Sequence, residues 1–308
     1  MAAATAGARP EEGGTAPEGG QAALDGLYAA MRTIEGRLGG GEGVVGLYGS
    51  ISQGGCAKVM ASLAAKGGLG RDSVLVDVGA GLGRPLLHAM LQCRVRRCFG
   101  IEVDAVKCSK AEVFMDRALR QVFAKGLVRG RPPARPEVLC AAVEDVATLG
   151  EATHAYSFWE GLPPDAKRGL GRLVRASGTL RAFAVVQRGI RGGPGRRGPA
   201  EELAALGFGP VRLVDQFPVA MSGSGRGFTA YVFTREAAAA AAGAPPGPAG
   251  PAAAPTTARG TAPALGFRVV KRSGAGGVRA SSRKRQRTPR AADASAAATT
   301  TTTRSLQI

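Results

Sequence analysis

The segment that most constrains the fold is a short apolar run that leads directly into a glycine-rich turn. Residues 74–78 are Val-Leu-Val-Asp-Val, and glycines occupy every second position over 79–83, just before Arg84 and Pro85. Glycine adopts positive φ without steric cost, and proline fits the first turn of a helix. We therefore predict a buried strand, a tight turn, and a helix whose free N–H groups can face a ligand.

Short apolar segments continue to alternate with helical patterns along the chain. We predict strands over residues 73–78, 97–102, 137–142, 153–158, 179–187, 210–217 and 226–234. We predict helices over residues 21–38, 55–66, 84–93, 105–126, 163–176 and 200–206. This alternation predicts a doubly wound, mostly parallel, seven-stranded Rossmann-like α/β sheet. No helix separates the last two strands, which predicts an antiparallel hairpin at the sheet edge.

Composition divides the chain into one folded domain and two tails. Residues 1–20 and 236–308 are poor in large apolar side chains, and such segments bury too little surface to offset their ordering entropy. We therefore predict disordered tails around a helix and linker over 21–43 and a domain over 44–235. The second tail contains 11 of the basic and 2 of the acidic residues of a chain whose net charge is +18. Its clusters favour nuclear import or nucleic-acid contact over a merely solubilising end.

The sequence also argues against several classes of protein. No run of about 18 apolar residues occurs outside alanine-rich segments, so we expect no transmembrane helix. Arg9, Glu11 and Glu12 lie where a secretory signal would need an apolar run, so we expect no such signal. The 5 cysteines form no C-x-x-C pair and the chain has 2 histidines. This pattern predicts no metal site and a reducing compartment.

Acidic residues at successive strand ends indicate which ligand the glycine turn accepts. The spacing is Gly-x-Gly-x-Gly, whereas dinucleotide sites need Gly-x-Gly-x-x-Gly, and Asp77 would repel a pyrophosphate but can face an ammonium group. Glu102 ends the second strand, 21 residues after Gly81, where a carboxylate can accept both ribose hydroxyls. Glu144 and Asp145 follow the third strand and can meet an adenine amino group. An amine, a ribose diol and an adenine favour S-adenosylmethionine over NAD. For each acid taken alone, an ordinary strand-end turn is the alternative.

The glycine turn and residues 100–102 resemble the first two motifs of class I methyltransferases. Further segments resemble the disruptor-of-telomeric-silencing (Dot-one) family of histone-lysine methyltransferases, over about residues 44–234. Residues 47–50, Leu-Tyr-Gly-Ser, resemble the Tyr-Gly-Glu loop of that family. Residues 144–146 resemble its Gly-Asp-Phe segment, which favours Asp145 over Glu144 as the adenine contact. Residues 155–159 stand where the family has Asn-Asn-Phe. Residues 222–231 stand where it has Trp-Thr-Gly-Lys and two channel tyrosines.

This resemblance implies a nuclear, monomeric enzyme that transfers a methyl group from S-adenosylmethionine to a histone lysine. Its implied partners are histones or the nucleosome, with DNA as a contact of the basic tail. The residues implied for cofactor binding are Tyr48, Asp77, Gly79, Gly81, Gly83, Glu102, Glu144, Asp145 and Ser157. The residues implied for the target side are Tyr48, Ser157, Trp159 and Tyr231. Core packing is the alternative for the aromatic residues among them.

Some positions depart from the family pattern. Ser50 replaces the glutamate, Ser157 or Tyr156 replaces the asparagine, Gly223 replaces the tryptophan, and Ala230 replaces the first tyrosine. These departures leave two alternatives open. The first is a class I methyltransferase of a non-histone protein, a small molecule or RNA. The second is a chromatin-binding protein without catalytic activity.

Overall fold

The computed structural model describes residues 19–38, 50–128, 135–189, 197–222 and 227–236. The predicted tails lie outside these ranges, apart from their innermost residues, as does Tyr48. The helices are α1 (Gly19–Leu38), α2 (Gln53–Gly67), α3 (Arg84–Gln92), α4 (Ala105–Ala124), α5 (Pro164–Ala176) and α6 (Pro199–Ala205). The strands are β1 (Val74–Val78), β2 (Arg97–Glu102), β3 (Glu137–Cys140), β4 (His154–Phe158), β5 (Ala182–Gln187), β6 (Val211–Val219) and β7 (Phe228–Arg235). Among these helices, none is long and apolar enough to cross a membrane.

The strands form one seven-stranded sheet in the order β3-β2-β1-β4-β5-β7-β6. The first five strands in this order are parallel, whereas β7 runs antiparallel to both β5 and β6. The predicted mostly parallel α/β sheet with an antiparallel edge hairpin is therefore confirmed. Strand order reverses between β1 and β4, and this is where open α/β sheets bind ligands, beyond the carboxyl ends of the strands.

Helices cover both faces of the sheet because its central strands are apolar on both sides. Helices α1 to α4 contribute to a core with Leu75 on one face. Helices α5 and α6 contribute to a second core with Val74 and Val76 on the other face. Alternate residues of β1 therefore point to opposite faces, as the period of an extended strand requires. The same alternation turns Asp77 towards the helices of the first face.

Local capping fixes the elements that border the carboxyl ends of β1 and β2. The Ser52 hydroxyl accepts the Gly55 N–H at 3.1 Å and begins α2. Asp104 Oδ1 accepts the Val106 N–H at 2.9 Å and begins α4, two residues after Glu102. Such caps satisfy N–H groups that have no partner within the helix. They hold the ends of α2 and α4 beside the glycine turn.

Candidate active site

A cavity of about 320 Å³ lies beyond the carboxyl ends of the parallel strands, at the point where strand order reverses. Its lining includes most of the predicted cofactor residues that the structure describes. Those in the lining are Asp77, Gly79, Gly81, Glu102 and Glu144. Residues of β1, β2, β4 and the turn after β3 thus converge on one space, although they are spread over more than sixty positions of the sequence.

The glycine turn requires its three glycines. The φ angles are +83° at Gly79, +54° at Gly81 and +81° at Gly83, and side chains other than glycine rarely adopt this region. A Cβ on Gly83 would also lie 2.5 Å from the Met115 sulfur. Gly79 and Gly81 line the cavity, whereas Gly83 lies just outside the lining and precedes α3. The turn therefore presents backbone, without side chains, to the cavity.

Glu102 holds the glycine turn against the end of β2. Its Oε2 accepts the Gly81 N–H at 2.8 Å, and its Oε1 accepts the Asp104 N–H at 3.0 Å. The side chain is nearly buried and still contributes to the cavity lining. A carboxylate oxygen accepts more than one hydrogen bond. Glu102 can therefore bind a diol in the cavity while it keeps its two backbone contacts.

Asp77 brings an unsatisfied acceptor to the same cavity. The residue is 2% exposed, and its Oδ1 has no hydrogen-bond partner among the described residues. Burial raises the pKa of this carboxyl well above its ordinary value, and the nearby Glu102 carboxylate raises it further. A buried acceptor without a partner is costly. An ammonium group in the cavity would supply the missing partner and would favour the ionised form of Asp77.

The turn after β3 places Glu144 and Asp145 differently. Both lie in a single helical turn, Val143–Asp145. Val143 and Glu144 line the cavity, but Asp145 does not. The Arg172 side chain of α5 donates to the Glu144 carbonyl at 2.8 Å and fixes the turn. Of the two acids predicted to meet an adenine, the structure therefore brings Glu144 to the cavity.

The end of β4 presents aromatic rings rather than the predicted serine. The Ser157 side chain is buried and donates its hydroxyl to the Val78 carbonyl at 2.8 Å. Its neighbours Tyr156 and Phe158 line the cavity. The Phe158 ring makes an edge contact with Phe228, with 5.5 Å between the ring centroids. A shift of one residue along a strand reverses the face on which a side chain lies.

The structure places the other two predicted aromatic residues in the core on the α5 and α6 face. Trp159 is completely buried, with its ring centroid 5.8 Å from that of Phe208. Lys167 Nζ lies 5.2 Å from the Trp159 ring centroid. Tyr231 pairs with Val185 in the sheet and is also buried. Neither Trp159 nor Tyr231 lines the cavity.

The sequence analysis missed an ion pair that belongs to the cavity wall. Arg84 donates from Nε to Glu35 Oε1 at 2.7 Å, and a second guanidinium nitrogen contacts Glu35 Oε2. Both residues line the cavity. Burial lowers the pKa of Arg84. The Glu35 carboxylate beside it compensates the charge of the guanidinium. The one sequence signal for this pair is a basic residue directly after the last glycine of the turn.

The sequence analysis also missed a backbone bridge beside the cavity. Ile51 and Met221 form an isolated antiparallel bridge, and both line the cavity. Its hydrogen bonds run from the Ser52 N–H to the Ala220 carbonyl at 2.9 Å, and from the Ser222 N–H to Ser50 at 2.8 Å. The segment before α2 is thereby tied to the β6–β7 connection, and together they bring apolar side chains to one side of the cavity.

Parts of the chain are similar to known proteins. The family model described as Histone methylation protein DOT1 matches residues 46–126. A search of curated proteins finds no match. Among solved structures, the chain is similar to magnesium protoporphyrin IX methyltransferase from Synechocystis PCC 6803 with bound SAM. That likeness has 14% identity and a TM-score of 0.43, over 73% of this chain and 100% of that chain. The chain is also similar to an S-adenosylmethionine-dependent methyltransferase from Clostridium acetobutylicum, with 9% identity and a TM-score of 0.42, over 61% and 94% of the two chains.

The matched segment begins just before α2 and ends after α4, and it therefore contains the glycine turn and Glu102. The unsatisfied Asp77 and the acceptor Glu102 suit the amine and the ribose of S-adenosylmethionine. Residues 46–126, within this seven-stranded sheet, are similar to the family described as Histone methylation protein DOT1.

Proposed function

We propose that this protein is a histone-lysine N-methyltransferase that acts on chromatin in the nucleus. The observation that carries the proposal is the match of residues 46–126 to the family described as Histone methylation protein DOT1. The net charge of +18 supports a polyanionic partner such as the nucleosome, because basic proteins are attracted to nucleic-acid phosphates. Histones would supply the target lysine, and DNA would contact the basic tail.

In this proposal the strand ends orient the cofactor. Asp77 accepts its ammonium group, Glu102 accepts its ribose hydroxyls, and Glu144 lies towards its adenine. The backbone of Gly79 and Gly81 packs closely against it. Gly83, Asp145, Ser157 and Tyr48 stay predictions for this site. When bound, S-adenosylmethionine supplies a methyl group on a positively charged sulfur, which a neutral amine can displace.

The apolar side of the cavity suits the target amine. Tyr156 and Phe158 lie there beside Ile51 and Met221. A lysine ammonium that enters such surroundings loses hydration, and its pKa falls. The neutral amine is the nucleophile, so these side chains promote the reaction by excluding water and by positioning the amine. Tyr48 stays a prediction for the same channel, while Ser157, Trp159 and Tyr231 would act there only through the residues they pack against.

One observation favours a second candidate, the methylation of a non-histone protein, a small molecule or RNA. The family has an asparagine near the end of the fourth strand, and this chain has Ser157 or Tyr156 there. Tyr156 lines the cavity but has no amide, and Ser157 is turned away. Its hydroxyl is committed to the Val78 carbonyl and does not line the cavity. The target side therefore lacks that amide, which supports a substrate other than the histone lysine of the family.

Methyl transfer from tritiated S-adenosylmethionine tests the proposal. The purified protein is incubated in parallel with reconstituted nucleosomes, free histones and RNA. We expect label on a histone within nucleosomes and little label on free histones. Label on RNA alone would support the second candidate. Cofactor binding without label on any of the three would support a non-catalytic chromatin protein.

Two variants separate the cofactor side from the target side of the site. Glu102→Ala removes the proposed ribose contact and should abolish both cofactor binding and label. Tyr48→Phe should keep cofactor affinity near that of the unaltered protein and lower turnover. Equal loss of affinity and turnover in Tyr48→Phe would instead place Tyr48 at the cofactor. Calorimetric titration with S-adenosylmethionine measures the affinity of each variant.

A further inference from the structure

The edge of the sheet opposite the cavity carries a row of arginines. Backbone hydrogen bonds connect successive strands there: Arg96 N–H to Ser73, Arg181 N–H to Thr153, and Arg235 N–H to Arg181, at 3.0, 2.8 and 2.8 Å. Adjacent strands lie about 4.8 Å apart, so the row from β2 to β7 spans four spacings, about 19 Å. We call this edge, with the loops that adjoin it, the amino edge.

Most of the basic side chains at the amino edge have no acidic partner. Arg96 and Arg97 form ion pairs with Glu151, and Arg97 also pairs with Glu137. Arg235 donates to backbone carbonyls such as that of Leu180 at 3.4 Å. Six exposed basic residues form no ion pair with another described residue: Lys66, Arg71, Arg94, Arg175, Arg181 and Arg212. Asp72 and Glu236 are exposed acids at the same edge and form no ion pair with another described residue, so the edge has a surplus of positive charge after they are counted.

Unpaired basic residues are fewer around the cavity than at the amino edge. At the carboxyl edge, three arginines are paired: Arg84 with Glu35, Arg168 with Asp165, and Arg188 with Glu160. Lys107 in the cavity lining and Arg32 near Arg84 form no ion pair with another described residue. The proposed cofactor acids lie at the carboxyl edge as well, so the larger surplus of positive charge is on the side of the sheet that faces away from the cavity.

The backbone at Arg94 adds a second observation. Arg94 has φ +52° and is the one residue other than glycine with positive φ in the described part of the chain. A residue with a Cβ is strained in this region, where glycine or asparagine is usual. The strained turn projects an exposed arginine next to Arg96 and Arg97. Arg94 directly follows Cys93, the C-cap residue of α3, and a left-handed residue at this position commonly ends a helix, so the end of α3 fixes where the Arg94 side chain emerges.

We infer that the amino edge binds the phosphate backbone of duplex nucleic acid. Arginine forks match phosphate oxygens, and a row of charges about 19 Å long spans a length of duplex that carries about eleven phosphates on its two strands. The large apolar side chains exposed in the described residues are Val103, Val106 and Val113, which lie between the end of β2 and the middle of α4 and not in the loops of this edge. Protein interfaces need apolar or aromatic anchors, and membrane surfaces need an apolar face. The edge therefore suits a polyanion.

The attachment of the C-terminal segment fits this inference. Strand β7 ends at Arg235, on the amino edge, so the basic sequence of residues 236–308 starts there. A duplex on this edge would lie next to the origin of that segment. It would also leave the cavity open, because the cavity lies at the other end of strands β1, β2 and β4. The binding needs neither the cofactor nor a histone target.

A charge-reversal pair in the full chain tests the inference. Arg94→Glu with Arg181→Glu removes two unpaired charges from the amino edge. Arg168→Glu with Arg188→Glu makes the same change in net charge at the carboxyl edge and is the matched control. Fluorescence anisotropy measures the Kd for a labelled duplex of about 30 base pairs, at salt concentrations between about 50 and 200 mM.

We expect the first pair to weaken binding about tenfold and to make the slope of log K against log salt shallower by about 2, one for each lost phosphate contact. The control pair should change the Kd by less than about threefold, as a shift in overall charge would. Melting temperature and cofactor affinity should be unaltered in the first pair, and the control pair, which places glutamates beside Asp165 and Glu160, should stay folded at the assay temperature. Equal weakening by both pairs, or no weakening by the first, would overturn the inference. The inference would also be overturned if polyglutamate competed as effectively as DNA. That result would indicate an acidic protein partner.

Discussion

Arg84, the first residue of α3, donates from Nε to Glu35 of α1 at 2.7 Å, across 49 positions of sequence. Arg84 is nearly buried, and both side chains line the cavity. The pair therefore fastens the first helix to the glycine turn. Burying an arginine is tolerable only when a carboxylate or other acceptors compensate its charge. Helix α1 is thus part of the wall of the site as well as a cover for the core.

Removing the charge of Glu35 should destabilise the domain. Glu35→Gln keeps the size of the side chain but leaves the Arg84 guanidinium with a neutral partner, so we expect the free energy of unfolding to fall by about 1–3 kcal/mol. Urea unfolding measures this change. Arg37→Gln, at an exposed position of the same helix, is the control and should stay within about 0.5 kcal/mol of the unaltered protein. Equal stabilities of the two variants would show that Arg84 does not need the carboxylate.

Loss of the Glu102 carboxylate should abolish cofactor binding. Glu102→Ala removes the proposed ribose acceptor and also frees the Gly81 and Asp104 N–H groups. We expect a loss of binding free energy greater than about 1–3 kcal/mol, the cost of one charged hydrogen bond left unmade. Calorimetry measures the affinity, with Glu137→Ala, an exposed acid on β3, as the control. Unaltered affinity for Glu102→Ala would exclude this residue from the cofactor site.

A methyl group added in β2 should disturb the glycine turn, and a second substitution should restore it. A Cβ on Gly100 would lie 2.5 Å from the Ala80 Cβ, between Gly79 and Gly81. Gly100→Ala should therefore lower stability by about 1–3 kcal/mol and weaken cofactor binding. Adding Ala80→Gly removes the collision and should recover most of both losses. If the double variant is no better than Gly100→Ala alone, the contact with Ala80 is not the cause.

His88 should make stability depend on pH between about 4 and 6.5. Burial lowers the pKa of His88 to about 4, although its hydrogen bond to Gln92 opposes the shift. Below the ordinary pKa of about 6.5 the unfolded chain binds a proton that the folded chain does not. The stabilising contribution of the neutral ring is thus complete above pH 6.5 and falls as pH decreases towards 4.

Urea unfolding at pH 7 and at pH 4.5 measures this contribution. The unaltered protein should lose about 2–3 kcal/mol more between the two pH values than His88→Asn, which has no group that titrates there. The second histidine, His154, is present in both proteins and cancels in the comparison. Parallel pH profiles for the two proteins would mean that folding does not lower the pKa of His88.

The sequence predicted the first half of the fold closely because its signals are local. Glycines and Pro85 bound β1 and α3, and Asp104 caps α4, so these elements begin and end within a few residues of their predicted limits. The order of the last two strands needed long-range information. Both read as apolar, yet β7 lies inside the sheet and β6 forms its edge. Pro218 in β6 was the available signal, since proline within a sheet is confined mainly to edge strands.

The candidate site was likewise predictable only in part from the sequence. Asp77, Glu102 and Glu144 line the cavity because strand ends in a parallel sheet meet at one edge, which the pattern of strands predicts. The partnership of Arg84 with Glu35 depends on where α1 packs, and no local pattern specifies that position. Tyr156 and Phe158, rather than Ser157, line the cavity because of the register of one strand. Sequence spacing alone does not determine that register.

The position of β7 between β5 and β6 has a consequence for the synthesis of the chain. Strand β6 pairs only with β7 in the described sheet, and β7 also completes the free edge of β5. Until the ribosome has released residues as far as Arg235, the edge of β5 in the nascent domain is unpaired. Strand β6 then has no strand to pair with. Open edges template aggregation and delay burial of the core. A message truncated before residue 228 should therefore yield a chain that is removed by proteolysis, even though it encodes every residue of the cofactor cavity.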